Sequence, residues 1–286
     1  MKKLIIYVAL MVFALSACQP TGDDVVLELA DGTTGPVKFD KERQTARVKF
    51  NCNRSWKATS SDEWIEIDNA KGSAGDGQTL KFYLSSNAGY LYRTGTITFN
   101  AGGTVMELQV IQEPEIVYLV NENFDSRYLY NDYESDLPER WISVDSDGDG
   151  FEWRCWKDPE TEESFAYSAS FYDVIGRTLS PDNVMVSPTF KVPAKGFSLK
   201  WDVRGNNPEY LGDKYQVWIA AIVDNTVQLG IMVCEEETTS ATTLTHHEVS
   251  LEDYDGATFC IAFRHYDSTG LARVLITNVE VSNRQD

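Results

Sequence analysis

The chain has 286 residues, with 25 Lys and Arg against 44 Asp and Glu, for a formal charge of −19 at neutral pH. The length suits about two domains of roughly 100–200 residues, and a composition 42% hydrophobic and 12% aromatic is too rich for intrinsic disorder. The acidic balance argues against nucleic acid as a partner and against an electrostatic hold on anionic lipid, since both need a basic surface.

Lys2 and Lys3 precede an almost unbroken apolar run from Leu4 to Leu15, too short to span a bilayer. The run ends in Leu15-Ser16-Ala17-Cys18, which resembles a bacterial lipobox. The resemblance implies that residues 1–17 are a lipoprotein signal peptide and that Cys18 is the lipid attachment point. Two or more acyl chains there give stable anchoring. The alternative is an ordinary secretory peptide with a chance Cys. Gln19, in place of Asp, omits the usual inner-membrane retention signal, which implies a lipid-anchored outer-membrane protein; the acidic Asp23 and Asp24 soon after the Cys are the feature that suggests display at the cell surface. Residues 18–23 read as a short tether, and loss of residues 1–17 removes two Lys and no acid.

From residue 24 to 114 the pattern is alternation broken by turns. Val25 to Leu29, Ala46 to Phe50, Trp64 to Ile67, Leu80 to Leu84, Thr94 to Asn100 and Thr104 to Ile111 read as strands of an antiparallel sandwich. Ala46-Arg47-Val48-Lys49-Phe50 puts small or apolar side chains on one face and basic ones on the other. Asn51 to Trp56, Asp62 to Ile67, the Lys71-Gly72-Ser73-Ala74-Gly75 loop, Tyr92 to Phe99 and Leu108 to Glu113 follow one another as the landmarks of the BACON domain family do. The resemblance implies an immunoglobulin-like β-sandwich of a family often associated with carbohydrate. Trp56 and Trp64 lie within the alternating pattern and read as core more readily than as sugar platforms.

Residues 115–286 read as a second, larger all-β domain. The predicted strands are Ile116 to Phe124, Arg140 to Val144, Phe151 to Trp156, Ser164 to Ser168, Val184 to Ser187, Phe197 to Val203, Tyr215 to Val223, His246 to Leu251, Thr258 to His265 and Val274 to Val281. So many short strands favour a jelly-roll β-sandwich. The polar, Thr-rich stretch from Glu235 to Thr245 reads as an exposed loop. Glu122-Asn123-Phe124-Asp125, Leu137-Pro138-Glu139-Arg140-Trp141, the acidic run before Trp153, Leu179 to Pro188 and Ile276 to Val281 together resemble gingipain-type cleaved adhesin domains, also called choice-of-anchor J domains. That family implies a jelly roll, often calcium-bound, found in surface adhesins and appended to secreted enzymes. Ser180 and the loop 205–213 depart from its pattern.

Asp145, Asp147 and Asp149 alternate with small residues, including Gly148, and Gly150 follows. Carboxylates at that spacing on a flexible turn suit calcium, which takes six to eight oxygens. The twelfth position from Asp145 is Trp156 rather than Glu, so the loop is not an EF-hand; the same acids could also make local Asx turns. A second candidate calcium set is Glu122, Asp125, Asn278 and Glu280, if the first and last strands of the jelly roll are neighbours. Cys52, Cys155, Cys234 and Cys260 could pair, but no close Cys-x-x-Cys unit suggests a thiolate zinc site. His246 and His247 would face opposite ways on a strand. No hydrolase or nucleotide-binding motif occurs. A carboxylate pair among Asp158, Glu160, Glu162 and Glu163, near two Trp, is the residual case for a glycoside hydrolase. Candidate ligand contacts are Trp153, Trp156, Tyr172 and Tyr210, near turns of the second domain. The leading expectation is a non-catalytic surface lipoprotein, an adhesin or accessory protein that binds glycan or a surface or host protein. The alternatives are a glycan-degrading hydrolase and a structural subunit of a surface assembly.

Overall fold

The computed structural model describes residues 24–30, 35–125, 134–173 and 175–285. Cys18 and the signal segment lie outside the described residues. The chain divides into two compact units, and the division is not a single cut: Glu42–Ser85 and Thr94–Val110 belong to the first, while Ile111–Asp286 group with the short segments Lys38–Lys41 and Ser86–Arg93. Regular structure among the described residues is β, apart from one short 3-10 turn, Glu252–Tyr254.

The first unit is a sandwich of two antiparallel sheets. One runs in the order Leu27–Leu29, Gln44–Cys52, Gly75–Leu84, Ile65–Asp68; the other runs Val37–Phe39, Thr104–Gln112, Arg93–Ala101, Trp56–Ser60, Lys71–Gly72. Ala46, Val48 and Phe50 point inward, and Arg47 and Lys49 point to solvent. Phe50 meets Trp56 and Phe99 with ring centroids 5.0 and 4.9 Å apart. Trp56 is therefore core, as its place in the alternation implies, while Trp64 is half-buried.

The second unit is a larger sandwich. Its seven-stranded sheet runs Glu134–Ser135, Arg154–Lys157, Ser164–Ala169, Arg273–Ser282, Ser198–Arg204, Thr245–Ser250, with Tyr118–Glu122 also on Arg273–Ser282. The facing sheet runs Ile142–Asp145, Asn183–Val186, Thr258–Tyr266, Lys214–Val223, Thr226–Glu237, with Phe190–Lys191 also on Thr258–Tyr266. Trp153, Trp201, Tyr215, Phe197 and Phe263 are fully buried and form one cluster with Leu199, Val217 and Ile276. Burying each such side chain contributes about 1.5–3 kcal/mol.

One expectation fails here. Thr226–Glu237 is a twelve-residue edge strand, so Glu235 to Glu237 are strand and not loop. It follows Lys214–Val223 through a two-residue turn in which Val223 faces Thr226. Asp224 and Asn225 both take positive φ, 49° and 59°. That is the primed turn that matches the twist of a hairpin, and Asp and Asn tolerate it. No described cysteine is in a disulfide; Cys52, Cys155 and Cys260 are buried thiols.

Candidate functional site

The acidic run closes on itself as a turn at the end of Ile142–Asp145. Asp145 accepts hydrogen bonds from the amides of Gly148 at 2.7 Å and Gly150 at 2.9 Å, and Asp149 accepts one from Phe151 at 2.8 Å. Gly148 and Gly150 adopt φ of 72° and 84°, a region that favours glycine and lets the amides turn inward. One oxygen from each of Asp145, Asp147 and Asp149 lies within 4.8 Å of the others. Burial pushes the Asp147 carboxyl above its ordinary value, and neighbouring Asp145 and Asp149 push it further the same way. Asp145 is also raised by burial, but the Gly150 amide, Asp147 and the other donors outweigh that and hold it low. Three crowded carboxylates on a glycine turn form an all-oxygen donor set that fits calcium, whose charge would relieve the crowding.

The second predicted set is not brought together. Tyr118–Glu122 and Arg273–Ser282 do pair, but the register sets Glu122 opposite Val279 and Asn121 opposite Glu280. Glu122 and Glu280 consequently project from opposite faces. Glu122 accepts from the Phe124 amide at 2.8 Å, and Glu280 accepts from Ser282 Oγ. Asn278 occupies a β-bulge, with φ of 50°, and donates to Asp202 at 2.7 Å. Only Asp125 and Asn278 share a wall, in a polar cavity of about 330 Å³ that Lys157, Glu162, Glu163 and Leu244 also line.

The four candidate aromatics separate in the same way. Trp153 is 1% exposed, and its Nε1–H donates to the Asn183 carbonyl at 3.0 Å. It is core and not a ligand platform, because its indole satisfies its own donor inside the sandwich. Trp156 is half-buried, stacked on Phe165 with centroids 6.2 Å apart and covered by Arg273. Tyr172 leans on Phe151 at 5.0 Å. Tyr210 is 49% exposed, and it rims a cavity of about 350 Å³.

That cavity is built from three stretches distant in sequence. Phe171, Asp173 and Thr178 come from one turn, Asn206, Asn207 and Tyr210 from the loop 205–213, and Gly270 to Arg273 from the approach to the last strand. The loop is held at both ends, Gly205 N donating to Ser240 O at 2.7 Å and Gly212 N to Thr238 O at 3.1 Å. Arg273 donates to Asp173 at 2.7 Å. Asn206 Oδ1 is buried and accepts no hydrogen bond from the described residues. A buried acceptor left in this way costs about 1–3 kcal/mol, and with no accessible surface it is closed to a ligand as the loop stands. The sequence pointed to Tyr210 through its loop, but nothing in it marked Asn206, Asp173 or Arg273.

Behind the cavity wall lies a buried polar chain. His265 contacts Ser168 Oγ at 2.9 Å through Nδ1 and Asp213 Oδ1 at 3.1 Å through Nε2. Asp213 also accepts from the Ala272 amide at 3.1 Å, and Asn183 donates to Ser168 at 3.1 Å. These residue types match a hydrolytic triad, but Ser168, His265 and Asp213 are all 0% exposed, so no substrate reaches the hydroxyl. The chain is a brace that ties Ala272 to both sheets. Among the acids near Trp156, Asp158 and Glu163 face Arg204. Asp158 receives Arg204 at 2.8 Å, with side-chain exposures of 12% and 6%. Burial raises the Asp158 carboxyl, but the Glu160 amide and Arg204 outweigh this and hold it below the usual range. A general acid for glycoside cleavage needs the opposite shift.

Comparison with known proteins agrees with this architecture. The family model of the Cleaved Adhesin Domain matches residues 126–281, and the chain belongs to that family. The BACON model, a putative binding domain, matches residues 54–113. Hemagglutinin A of Porphyromonas gingivalis is 27% identical over 188 residues, covering 58% of this chain and 8% of that protein. Gingipain R1 of the same species is 25% identical, covering 54% of this chain and 10% of that protein. The crystal structure of the K1 cleaved adhesin domain of its Lys-gingipain aligns with a TM-score of 0.47 at 25% identity, covering 57% of this chain and 96% of the domain. The chain thus spans a tenth or less of the length of these two curated relatives. Its second unit is an adhesin-type domain.

Proposed function

We propose that this protein is a non-catalytic surface adhesin whose second unit binds glycan in the Tyr210 cavity. The observation that carries the reading is the exposed Tyr210 ring on the rim of a cavity that Asp173, Asn207 and Arg273 line with polar groups. A sugar offers an apolar ring face for the first and hydroxyls for the polar groups. The cavity's loop 205–213 is also where the sequence departs from the family pattern, which suits a ligand particular to this chain. Calcium held by Asp145, Asp147 and Asp149 would stiffen the neighbouring turn by neutralising it. Lipid on Cys18 would anchor the chain in the outer membrane, with the first unit as a spacer towards the cell exterior.

A second reading has one observation in its favour. The edge strand Thr226–Glu237 leaves Ile231 55% and Met232 43% exposed beside unpaired backbone, as a docking face for another protein would. Glycan and host-protein arrays probed with the full chain, with and without calcium, separate the two. Glycan binding abolished by Tyr210→Ala supports the first. Protein binding unaffected by Tyr210→Ala and lost on Ile231→Lys supports the second and overturns the first.

A further inference from the structure

We propose that Cys234, Glu236 and His247, completed by the Tyr215 hydroxyl, form a site for a tetrahedral transition-metal ion of the zinc class. Cys234 and Glu236 are two apart on the edge strand Thr226–Glu237 and so share a face. Tyr215 lies directly across from Glu236 on the neighbouring strand. His247 comes from Thr245–Ser250, the edge of the opposite sheet, so the four side chains meet where the two sheets of the sandwich border each other.

The distances are those of a coordination shell. His247 Nε2 stands 3.4 Å from Glu236 Oε2 and 3.2 Å from Tyr215 Oη, and Tyr215 Oη is 3.5 Å from Glu236 Oε2. Ligands about 2.0–2.2 Å from a tetrahedral ion are about 3.3–3.6 Å from one another. Three donors therefore already span one face of such a tetrahedron. The donor atoms of Cys234, Glu236 and His247 all lie within 4.8 Å of one another, and the thiol already interacts with Tyr215 and Glu236. The imidazole is held ready by Trp201, stacked on it at 4.7 Å with the planes 12° apart. His246 faces away and is engaged by Asp202.

The donor types select the ion. Calcium and magnesium take oxygen alone, whereas sulfur, imidazole and carboxylate together suit zinc. The Cys234 thiol also interacts with the Tyr215 hydroxyl and the Glu236 carboxylate, so all four groups converge on one point. On binding, the thiol proton passes to solvent as the sulfur–metal bond forms. The ion would then clip the edge strand of one sheet to the edge strand of the other.

Cobalt(II) is the probe, because its visible spectrum reports both geometry and sulfur ligation. The chelator-stripped full chain should bind one equivalent with the strong bands of tetrahedral cobalt and a thiolate-to-metal charge-transfer band, both bleached by zinc. Cys234→Ser, close in size and so least disturbing to the fold, should abolish the charge-transfer band and weaken binding about tenfold or more; His247→Gln should weaken it comparably. Metal-free thermal unfolding confirms that each variant is folded. Absence of binding, a weak octahedral spectrum, or a charge-transfer band retained in Cys234→Ser would overturn the assignment.

Discussion

The second unit carries two cavities of nearly equal size and opposite character. The one beside Tyr210 measures about 350 Å³ and the one beside Leu244 about 330 Å³. The Leu244 cavity is walled by Asp125, Lys157, Glu162, Glu163 and Asn278, groups that water solvates well or that already have partners: Asn278 is bonded to Asp202, and Glu163 stands 3.9 Å from Arg204. The Tyr210 cavity combines an exposed aromatic ring with the apolar Phe171 and Leu271 and a few polar groups. Volume alone does not mark a site. What separates the two is an exposed aromatic ring and apolar side chains beside a few polar groups, which a sugar's two-sided chemistry can use.

The largest effect should come from the support beneath the Leu244 cavity. Arg204→Ala leaves Asp158 buried without its cation, and denaturant unfolding should show the second unit destabilised by about 3–5 kcal/mol. Glu163→Gln, on the exposed side of the same group, should stay within about 0.5 kcal/mol. Equal effects would mean that the ion pair is not the support. The same pair sets a pH dependence. The folded Asp158 carboxyl titrates below its unfolded value. Its contribution is therefore complete above the ordinary carboxylate range, near pH 4, and is lost as pH falls through the lower folded value. Arg204→Ala should flatten that acid limb of the stability profile.

Behind the Tyr210 cavity, Asp213→Ala removes the acceptor of both His265 and the Ala272 amide. A loss of about 1–3 kcal/mol is expected in thermal unfolding, together with faster amide exchange at Leu271 and Ala272. Unchanged exchange there would mean that the buried chain does not position the cavity wall.

The smallest effect on stability should be that of calcium. For sites with dissociation constants of about 0.1–1 mM, 1 mM calcium adds about 0.4–1.4 kcal/mol, or a few degrees in the midpoint of the second unit. Asp147→Asn together with Asp149→Asn should abolish the shift. A shift that survives both substitutions would place the ion elsewhere.

How much of this was legible in the sequence depended on whether the signal was local. Period-two runs such as Ala46 to Phe50 gave inward and outward faces correctly, and the Asp145 loop was visible because its acids and glycines are contiguous. The strand Thr226–Glu237 was missed because exposed Ile231 and Met232 blur its alternation and the Asp224-Asn225 turn was not recognised. Trp153 and Trp156 look alike in sequence, yet one fills the core and the other lies half-buried under Arg273. Asn206 and Arg273 could not be linked, since they lie 67 positions apart and only the pairing of Ser198–Arg204 with Arg273–Ser282 brings them together. Cys234 and His247 were passed over because sequence spacing registers a zinc site only when its ligands are close along the chain. Here an edge from each sheet supplies the donors.

The central claim is that ligand occupies the Tyr210 cavity and not its neighbour. The direct measurement is the affinity of the strongest array-identified glycan for the full chain, for Tyr210→Ala and for Leu244→Ala, with unfolding midpoints recorded for all three. Tyr210→Ala should weaken binding at least about tenfold, as expected for loss of a stacking platform of about 1.4 kcal/mol or more, while its midpoint and the affinity of Leu244→Ala stay at the parent values. Undiminished binding by Tyr210→Ala, or a loss confined to Leu244→Ala, would contradict the account.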